Sequence, residues 1–304
     1  MSDGVLVLAG ATASGKTELA VELARRFDAE IVGADSRQIY RGMEIGTATP
    51  SREQLAAVPH HVVDFLDPYE RYSAAHYVDD AMAAIAQIRQ RGRRVIVAGG
   101  TGFYIRALLG RVELAPQYDE ALRHRLAHEA RLHPPEFLHA WLSAHDSRRA
   151  EALDPADTYR VLRALEVALS CHPERSEAKS KGRRNLATEG INSLLVFLDV
   201  PLDVLDERIA ARADRMLERG FVDEAERMGA GALAGDAVGY PQALAFVRGW
   251  SSERELRALL VRATRRYARR QRAWFRGERE TLWLRPDAVE HAVRENLGWS
   301  PKPV

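Results

Sequence analysis

The sequence predicts an α/β fold, in which a parallel sheet is flanked by helices and an all-helical domain is inserted. Three observations support this prediction. Short apolar segments typical of buried strands alternate with segments whose apolar residues have helical spacing. A glycine-rich, anion-binding motif joins the first strand to the first helix. Between residues 116 and 168 the strand signal is absent while helical spacing continues.

The first part of the chain carries the beginning of the sheet. Val5–Ala9 is a short apolar run ended by Gly10, which is typical of a buried strand. The elements predicted after it are a helix over Thr17–Phe27, a strand over Glu30–Ala34, a weak strand at Val62–Val63, a helix over Ser73–Arg91 and a strand over Val95–Ala98. Since strands and helices alternate, we expect parallel βαβ units with right-handed crossovers.

The middle of the chain predicts a separate helical domain, residues 116–193. Its helices are expected over Asp119–Leu132, Pro135–Ala144 and Asp157–Leu169. The segment from His172 to Gly190 is polar, highly charged and without periodicity, so we expect it to be flexible. Residues 1–115 and 194–304 then form the sheet domain.

The sheet is expected to resume after this insertion. A strand over Leu194–Val200 precedes a helix over Leu202–Arg219. Ser252 and Glu255 form a capping box, which predicts the start of a long helix there. Thr281–Leu284 is the last predicted strand.

Composition limits the classes of protein that are possible. The chain has 304 residues, with 44 basic and 43 acidic side chains. The single cysteine, Cys171, excludes an internal disulfide framework and any site with several cysteine ligands. No apolar run approaches the roughly 18 residues of a transmembrane helix, and the first residues do not resemble a signal peptide. We therefore expect a soluble, cytoplasmic protein without a membrane partner.

The anion-binding motif is the clearest chemical signal. Its residues, which fit the P-loop pattern G-x-x-x-x-G-K-[ST], are Gly10, Ala11, Thr12, Ala13, Ser14, Gly15, Lys16 and Thr17. Glycines let the backbone curve around an anion, and the amides at a helix N-terminus point at it. Lys16 adds a full positive charge, and the Thr17 hydroxyl can hold Mg²⁺. The motif predicts a P-loop fold that binds a di- or triphosphate.

Two features argue against a protein that hydrolyses ATP or GTP. Such proteins usually have an acidic residue at the end of another strand, but Val95–Ala98 is followed by glycines and Thr101. The second predicted strand instead delivers Asp35 to the edge of the sheet where ligands bind. A carboxylate there would repel phosphate unless it serves a hydroxyl or amine nucleophile. The alternative is that Asp35 only caps a turn.

A cluster of arginines marks the long helix near the end of the chain. The segment from Leu256 to Gly277 contains eight arginines and no acidic residue. With helical spacing, Arg262, Arg266 and Arg269 form one stripe. Apolar and aromatic residues, among them Tyr267 and Trp274, form the opposite stripe. This pattern favours binding to a polyanion, although a solvated helix face is the ordinary alternative.

Several motifs together resemble the tRNA dimethylallyltransferase (tRNA isopentenyltransferase) family. They follow one another in order from residue 5 to about 285. They are the P-loop, Asp35-Ser36-Arg37-Gln38-Ile39-Tyr40 leading to Gly46-Thr47-Ala48, Pro59-His60-His61, Gly99-Gly100-Thr101-Gly102-Phe103-Tyr104, Met216-Leu217 with Gly220-Phe221, and Gly239-Tyr240. The segment from Asp35 to Ala48 is the most specific of these.

The resemblance implies a reaction and the residues that perform it. Members of this family transfer the dimethylallyl group of dimethylallyl diphosphate to N6 of the adenine just 3′ of the anticodon, in tRNAs that read codons beginning with U. By this resemblance Lys16, Arg212 and the P-loop bind the diphosphate with Mg²⁺ at Thr17. Asp35 accepts the proton of the amine, and Thr101 lies beside the reacting groups. Arg212 as a solvated residue and Thr101 as a turn hydroxyl are the alternatives.

The resemblance also implies contacts with the anticodon stem-loop of tRNA. The matching positions are Asp35, Ser36, Arg37, Gln38, Thr101, Arg123, Tyr159, Arg160, Arg163, Gly239, Tyr240, Arg269, Arg270, Gln271, Arg272, Trp274 and Arg276. Gln38 can hydrogen-bond a purine edge. We expect a monomer. Two other functions remain open at this point: a P-loop kinase of small molecules with residues 116–193 as its lid, and a non-catalytic RNA-binding protein.

Overall fold

The computed structural model describes residues 4–114, 120–170, 183–229, 231–232 and 235–302. The chain divides into two compact units. The sheet unit comprises Met1–Val112 and Arg184–Val304, and the helical unit comprises Glu113–Arg183. Residues 184–192 thus belong with the sheet, where the Leu186 amide donates to the Leu108 carbonyl and the Val5 amide to the Asn192 carbonyl. Residues 172–182, most of the segment predicted to be flexible, lie outside the described residues.

A six-stranded, wholly parallel sheet forms the centre of the sheet unit, so the predicted fold class is confirmed. Its order is β3-β2-β4-β1-β5-β6. The strands are β1 (Val5–Gly10), β2 (Ala29–Gly33), β3 (His60–His61), β4 (Arg94–Gly99), β5 (Ser193–Leu198) and β6 (Thr281–Leu284). Val5 pairs with Val95 on one side and with Ser193 on the other. The central strands are buried on both faces, as parallel strands covered by helices should be.

One strand prediction was wrong by two residues. The third strand is His60–His61, not Val62–Val63, and His60 pairs with Ile31 of β2. Val62 has a φ of 59°, in the left-handed region, so the chain leaves the sheet at that residue. The apolar pair was a misleading signal because apolar side chains also occur in buried turns.

Helices cover the sheet and follow it toward the C-terminus. They are α1 (Lys16–Phe27), α2 (Glu44–Thr47), α3 (Arg52–Ala57), α4 (Ala74–Gln90) and α5 (Gly102–Leu108) before the insertion, and α10 (Leu202–Glu218), α11 (Phe221–Met228), α12 (Tyr240–Val247), α13 (Glu253–Arg276) and α14 (Val289–Leu297) after it. The capping box at Ser252 begins α13 as predicted. Among the described residues, no helix combines the length and apolarity needed to cross a bilayer.

The helical unit has a small core of its own. Its helices are α6 (Glu120–Leu132), α7 (Pro135–His145), α8 (Ser147–Glu151) and α9 (Thr158–Ser170). Buried leucines and small residues from all four helices pack together, among them Leu126, Leu142 and Leu165. Strands are absent from residues 120–170, as the sequence predicted.

The carboxyl ends of the three central strands bring their loops together. All strands are parallel, so the loops after β1, β2 and β4 emerge at the same edge. The Ala34 amide donates to the Ala98 carbonyl at 2.8 Å. A Cβ atom on Gly99 would overlap the Ala34 carbonyl, so only glycine permits this approach. The P-loop, Asp35 and Thr101 follow directly from these strand ends.

Candidate active site

The P-loop forms a tight, curved turn between β1 and α1. Gly15, just before α1, has a φ of 88°, which glycine adopts without strain. Ala13 also has a positive φ, 65°. Alternation of left- and right-handed backbone turns successive amides inward, which creates a concave site for an anion. The Ser14 hydroxyl is buried in this turn and has no hydrogen-bond partner among the described residues.

Lys16 gives this turn its charge. Its ammonium group donates to the Ala11 carbonyl at 3.0 Å, which holds the side chain over the loop. Burial lowers the pKa of Lys16 to about 8, and the nearby Asp35 carboxylate opposes that decrease. An anion bound by the loop would stabilise the charged form.

Helix α10 supplies two further cations. Arg212 donates to the Thr12 hydroxyl at 2.9 Å and to the Gly46 carbonyl at 3.4 Å. Burial lowers the pKa of Arg212, while Asp35 acts in the opposite direction. Arg208, one turn earlier, donates to the Ser14 carbonyl at 3.2 Å. Arg208 carried no motif of its own in the sequence, although its spacing of four residues from Arg212 puts both on one helix face.

The Asp35 carboxylate caps a turn and also interacts with two cations. Its Oδ1 accepts from the Arg37 amide at 3.0 Å, so the carboxylate does cap a turn. Its charge also acts on Lys16 and Arg212, because it opposes the decrease that burial causes in the pKa of both. The carboxylate therefore lies near the P-loop cations, and its Oδ2 accepts from none of the described residues.

Ser36 and Thr101 connect the loops that follow β2 and β4. The Ser36 amide donates to the Thr101 hydroxyl at 2.9 Å, and that hydroxyl lies 3.3 Å from the Ser36 hydroxyl. Tyr267 of α13 approaches the same region. Burial, and secondarily Asp35, raises the pKa of the Tyr267 hydroxyl. The sequence analysis placed Tyr267 only on an apolar stripe.

Gln38 holds its own loop in place. Its amide nitrogen donates to the Thr47 carbonyl at 3.1 Å and to the Ala48 carbonyl at 2.9 Å. Both hydrogens of the amide are therefore used within the protein. Only the amide oxygen is left for a purine edge, which narrows the role predicted from the sequence. The neighbouring Arg37 pairs with Asp236 at 2.7 Å.

The buried residue Glu224 holds the short helix α2 in place through hydrogen bonds. Its buried carboxylate accepts from the amides of Ile45 and Gly46, both at 2.8 Å, and from the Tyr240 hydroxyl at 2.8 Å. A tRNA contact is predicted at Tyr240 from the sequence, but its side chain is fully buried and bonded to Glu224. Gly239, which precedes it, is also buried and has a φ of 104°. Glu224 thus fixes the segment whose Gly46 carbonyl binds Arg212.

Replacing Glu224 by glutamine should destabilise the sheet unit. In the glutamine side chain one carboxylate oxygen is replaced by an NH₂ group, which would face the donors of α2 or Tyr240. A buried polar group left without a partner lowers the free energy of unfolding by about 1–3 kcal/mol. We expect the free energy of unfolding, measured in urea, to fall by about 2–4 kcal/mol. The matched control is Glu226→Gln, since Glu226 is exposed on the same helix. Equal stability of the two variants would contradict this account of α2.

The arginines of α13 fall into two groups. Three have acidic partners on other elements: Arg257 with Asp214, Arg265 with Asp206, and Arg272 with Asp199. The sequence could not reveal these pairs because the acids lie outside the helix. The other arginines of α13 are exposed and form no ion pair with a described residue: Arg254, Arg262, Arg266, Arg269, Arg270 and Arg276. Arg276 lies over the Trp283 ring.

Three other predicted tRNA contacts on α13 pack against loops that follow the strands. Trp274 packs so closely on Gly102 that a Cβ there would overlap its ring, and Arg106 stacks on that ring at 4.4 Å. Gln271 is buried and bonds to the P-loop. Arg272 is mostly buried and bonds to the Val200 carbonyl. The side chains of Gln271 and Arg272 are thus used within the protein.

The remaining predicted tRNA contacts lie in the helical unit. Tyr159 is 69% exposed at the start of α9. Arg160 is exposed and pairs with Asp157 at 3.1 Å. Arg163 is half-buried and pairs with the buried Glu166 at 2.9 Å. Arg123 is partly exposed on α6.

Comparisons with known proteins agree with the motifs. A family model described as IPP transferase matches residues 38–278. A tRNA dimethylallyltransferase of Anaeromyxobacter dehalogenans (strain 2CP-1) is 45% identical, over 98% of each chain. One of Geobacter sulfurreducens is 40% identical, over 92% of this chain and 91% of its own.

Solved structures support the same assignment. The crystal structure of the full-length tRNA isopentenylpyrophosphate transferase of Bacillus halodurans superposes with a TM-score of 0.69, at 32% identity over 97% of each chain. A eukaryotic dimethylallyltransferase acting on tRNA gives a TM-score of 0.79 over 99% of this chain and 81% of its own, at 24% identity, which supports the fold. With a family model matched over most of its length and relatives at 40–45% identity, the chain belongs to the IPP transferase family.

Proposed function

We propose that this protein transfers the dimethylallyl group of dimethylallyl diphosphate to N6 of the adenine 3′-adjacent to the anticodon, tRNA position 37, in tRNAs reading codons that begin with U. One observation carries the proposal: β1 and β2 end at the same sheet edge, so that the P-loop with its partner Arg212 and the Asp35 carboxylate lie on that edge, where Asp35 interacts with Lys16 and Arg212. The names of the relatives support the reaction class. In our proposal the protein acts as a monomer in the cytoplasm.

The leaving group is bound by charges that are already in place. When the bond between carbon and the diphosphate oxygen breaks, the diphosphate gains negative charge. Lys16, Arg212 and the P-loop amides face that charge, and aligned cations lower the barrier most in a partly buried site. Arg208 is a further candidate because it bonds to the loop itself.

The residues at the loop also suit Mg²⁺. Mg²⁺ prefers hard oxygen ligands. Thr17 is the second residue of α1, and the buried Ser14 hydroxyl in the preceding loop lacks a partner among the described residues. We assign Mg²⁺ to Thr17, partly through water. Bound Mg²⁺ would add positive charge at the diphosphate.

Asp35 is the proton acceptor in this proposal. The exocyclic amine of adenine is a weak nucleophile because it is conjugated with the ring. As its nitrogen forms the bond to carbon and the diphosphate leaves, one N6 proton must depart, and the free Oδ2 of Asp35 can accept it. The adenine reaches this position only if it is unstacked from the anticodon loop. Ser36 follows Asp35 in the chain and its amide donates to the Thr101 hydroxyl, so both residues can orient the base.

Positive residues on both units would bind the tRNA backbone. On α13 these are the exposed arginines, including Arg269, Arg270 and Arg276. On the helical unit we assign Arg123, Tyr159, Arg160 and Arg163 to tRNA contacts. Contacts with phosphates position the RNA, and extruded bases of single-stranded loops provide sequence recognition.

The direct test of the proposal uses an anticodon stem-loop RNA. The protein is incubated with labelled dimethylallyl diphosphate, Mg²⁺ and a stem-loop that has adenine 3′ of the anticodon. Label should enter that RNA and should not enter a matched stem-loop with guanine at the same position. A P-loop kinase would instead need ATP and would ignore both RNAs. A non-catalytic RNA-binding protein would bind them without transferring label.

Removing two exposed arginines of α13 should weaken tRNA binding and reduce its dependence on salt. Each phosphate contact contributes about 0.7–0.9 to the slope of log affinity against log salt concentration. For Arg266→Gln with Arg269→Gln, we expect the slope to decrease by about 1.5 between about 50 and 200 mM salt. The matched control replaces Arg25 and Arg294, exposed arginines in the last turns of α1 and α14. A slope equal to that of the control variant would contradict a tRNA contact at α13.

A further inference from the structure

Gln271 differs from the residues around it on α13. Arg269 and Arg270 are exposed, whereas Gln271 is 6% exposed. A buried primary amide needs partners for its donors and its acceptor. The partners of Gln271 lie on two loops that are 259 and 171 residues away in the sequence. Although Gln271 belongs to an arginine-rich helix, its side chain therefore contacts loops at the centre of the sheet unit.

The Gln271 amide joins the loops that follow β1 and β4. Its oxygen accepts from the Thr12 amide at 2.8 Å, and its nitrogen donates to the Gly100 carbonyl at 2.9 Å. A Cβ on Gly100 would overlap the Gln271 nitrogen, so the close approach depends on glycine. The amide has only one suitable orientation, because a flipped group would oppose donor to donor and acceptor to acceptor.

Both loops lead directly to groups of the proposed reaction. The Thr12 hydroxyl accepts from Arg212, which faces the proposed leaving group. Thr101 follows Gly100, and its hydroxyl accepts from the Ser36 amide beside Asp35. The Gln271 side chain thus connects the P-loop, which would bind the leaving group, to the loop whose Thr101 contacts the residue after Asp35.

We propose that Gln271 is a positioning residue, which holds the P-loop and the loop that carries Thr101 at a fixed spacing during transfer. The inference rests on the proposed function. In a displacement at carbon, the attacking nitrogen, the carbon and the leaving oxygen must be in line. In the proposed reaction the P-loop fixes the leaving oxygen, and the loops that carry Asp35 and Thr101 fix the adenine. A shift of about 1 Å in such an arrangement can lower the rate about 10²-fold.

The test compares Gln271→Met with Gln54→Met. Methionine has a similar shape to glutamine but forms neither hydrogen bond. Gln54 is a suitable control because its amide oxygen only caps the surface helix α3. For each variant we measure the single-turnover rate of transfer at saturating substrates, the affinities for pyrophosphate and for tRNA, and hydrogen exchange of the peptide that contains Thr12.

For Gln271→Met we expect transfer about 10²-fold slower than in the control, with both affinities within about threefold of wild type. Exchange at Thr12 should accelerate. A second variant, Gln271→Glu, keeps the oxygen that accepts from the Thr12 amide. It replaces the amide nitrogen by an oxygen, which cannot donate to the Gly100 carbonyl. It should also slow transfer, which covers the case in which the methionine variant folds poorly.

Two results would overturn the inference. One is a transfer rate in both variants equal to that of Gln54→Met. The other is a large loss of tRNA affinity with a normal rate at saturating tRNA, which would make Gln271 an RNA contact. If wild-type protein transfers no label at all, the proposed function fails instead. The exchange measurement then decides whether Gln271 holds the loop, and unchanged exchange would reject that contact as well.

Discussion

Replacing Asp35 by asparagine should lower the rate of dimethylallyl transfer by about 10²–10⁴, the usual contribution of a general base. Asparagine keeps an oxygen for the Arg37 amide, so the turn that Asp35 caps survives. What is lost is the charge near Lys16 and Arg212 and the ability to accept a proton. The rate is measured in a single turnover at saturating donor and tRNA, so that binding does not limit it.

The matched control for this variant is Asp67→Asn. The Oδ1 of Asp67 accepts from the Tyr69 amide at 2.9 Å, in the same kind of turn, but Asp67 is exposed. Its replacement should leave the rate unchanged. Pyrophosphate affinity of the Asp35 variant should be equal to or greater than that of wild type, because a negative charge near the anion is removed. An unchanged rate in Asp35→Asn would reject the assignment of the base.

Lys16→Met should weaken pyrophosphate binding about 10- to 100-fold, since a hydrogen bond to a charged group contributes about 1.5–3 kcal/mol. Methionine retains much of the apolar stem but lacks the ammonium group that lies over the loop. The affinity is measured by calorimetry with Mg²⁺ present. Leu19→Met, on the half-buried side of the same helix, serves as a control for substitution in α1. Equal affinities of the two variants would exclude Lys16 from the anion site.

The same variant gives a test against pH. The pKa of Lys16 in the free protein is about 8, lowered by burial, so the lysine is charged below this pH and neutral above it. The contribution of Lys16 to pyrophosphate affinity should therefore be present at low pH and decrease as the pH rises through about 8. Ionisation of pyrophosphate affects both proteins alike. The ratio of wild-type to Lys16→Met affinity should fall over this range, and a constant ratio would contradict the lowered pKa.

Local patterns predicted most of the fold and the positions of the P-loop and Asp35 in it. The P-loop could be recognised because its glycines, lysine and threonine are contiguous and lie between a strand and a helix. Asp35 could be placed at the ligand-binding edge because parallel strands end at the same side of a sheet. The capping box at Ser252 gave the start of α13, because both of its residues belong to one turn.

Contacts between distant segments could not be predicted in this way. The family resemblance predicts a tRNA contact at Gln271, and nothing in α13 indicates that its amide meets Thr12. Glu224 gave no signal, since its partners in α2 are about 180 residues away in sequence. The partner of Arg272, Asp199, follows β5 and is likewise outside the arginine-rich segment. These positions depend on tertiary packing, which periodicity does not encode.

The central feature of the proposed function is a P-loop that binds the diphosphate of an isoprenoid and not a nucleoside triphosphate. The most direct measurement is transfer of labelled dimethylallyl from its diphosphate to unmodified tRNA, with nucleoside analysis of the product, in the absence of ATP. We predict label in N6-(dimethylallyl)adenosine, competitive inhibition by pyrophosphate and no requirement for ATP. Label that enters tRNA only when ATP is supplied, or ATP hydrolysis with no modified adenosine, would contradict the account.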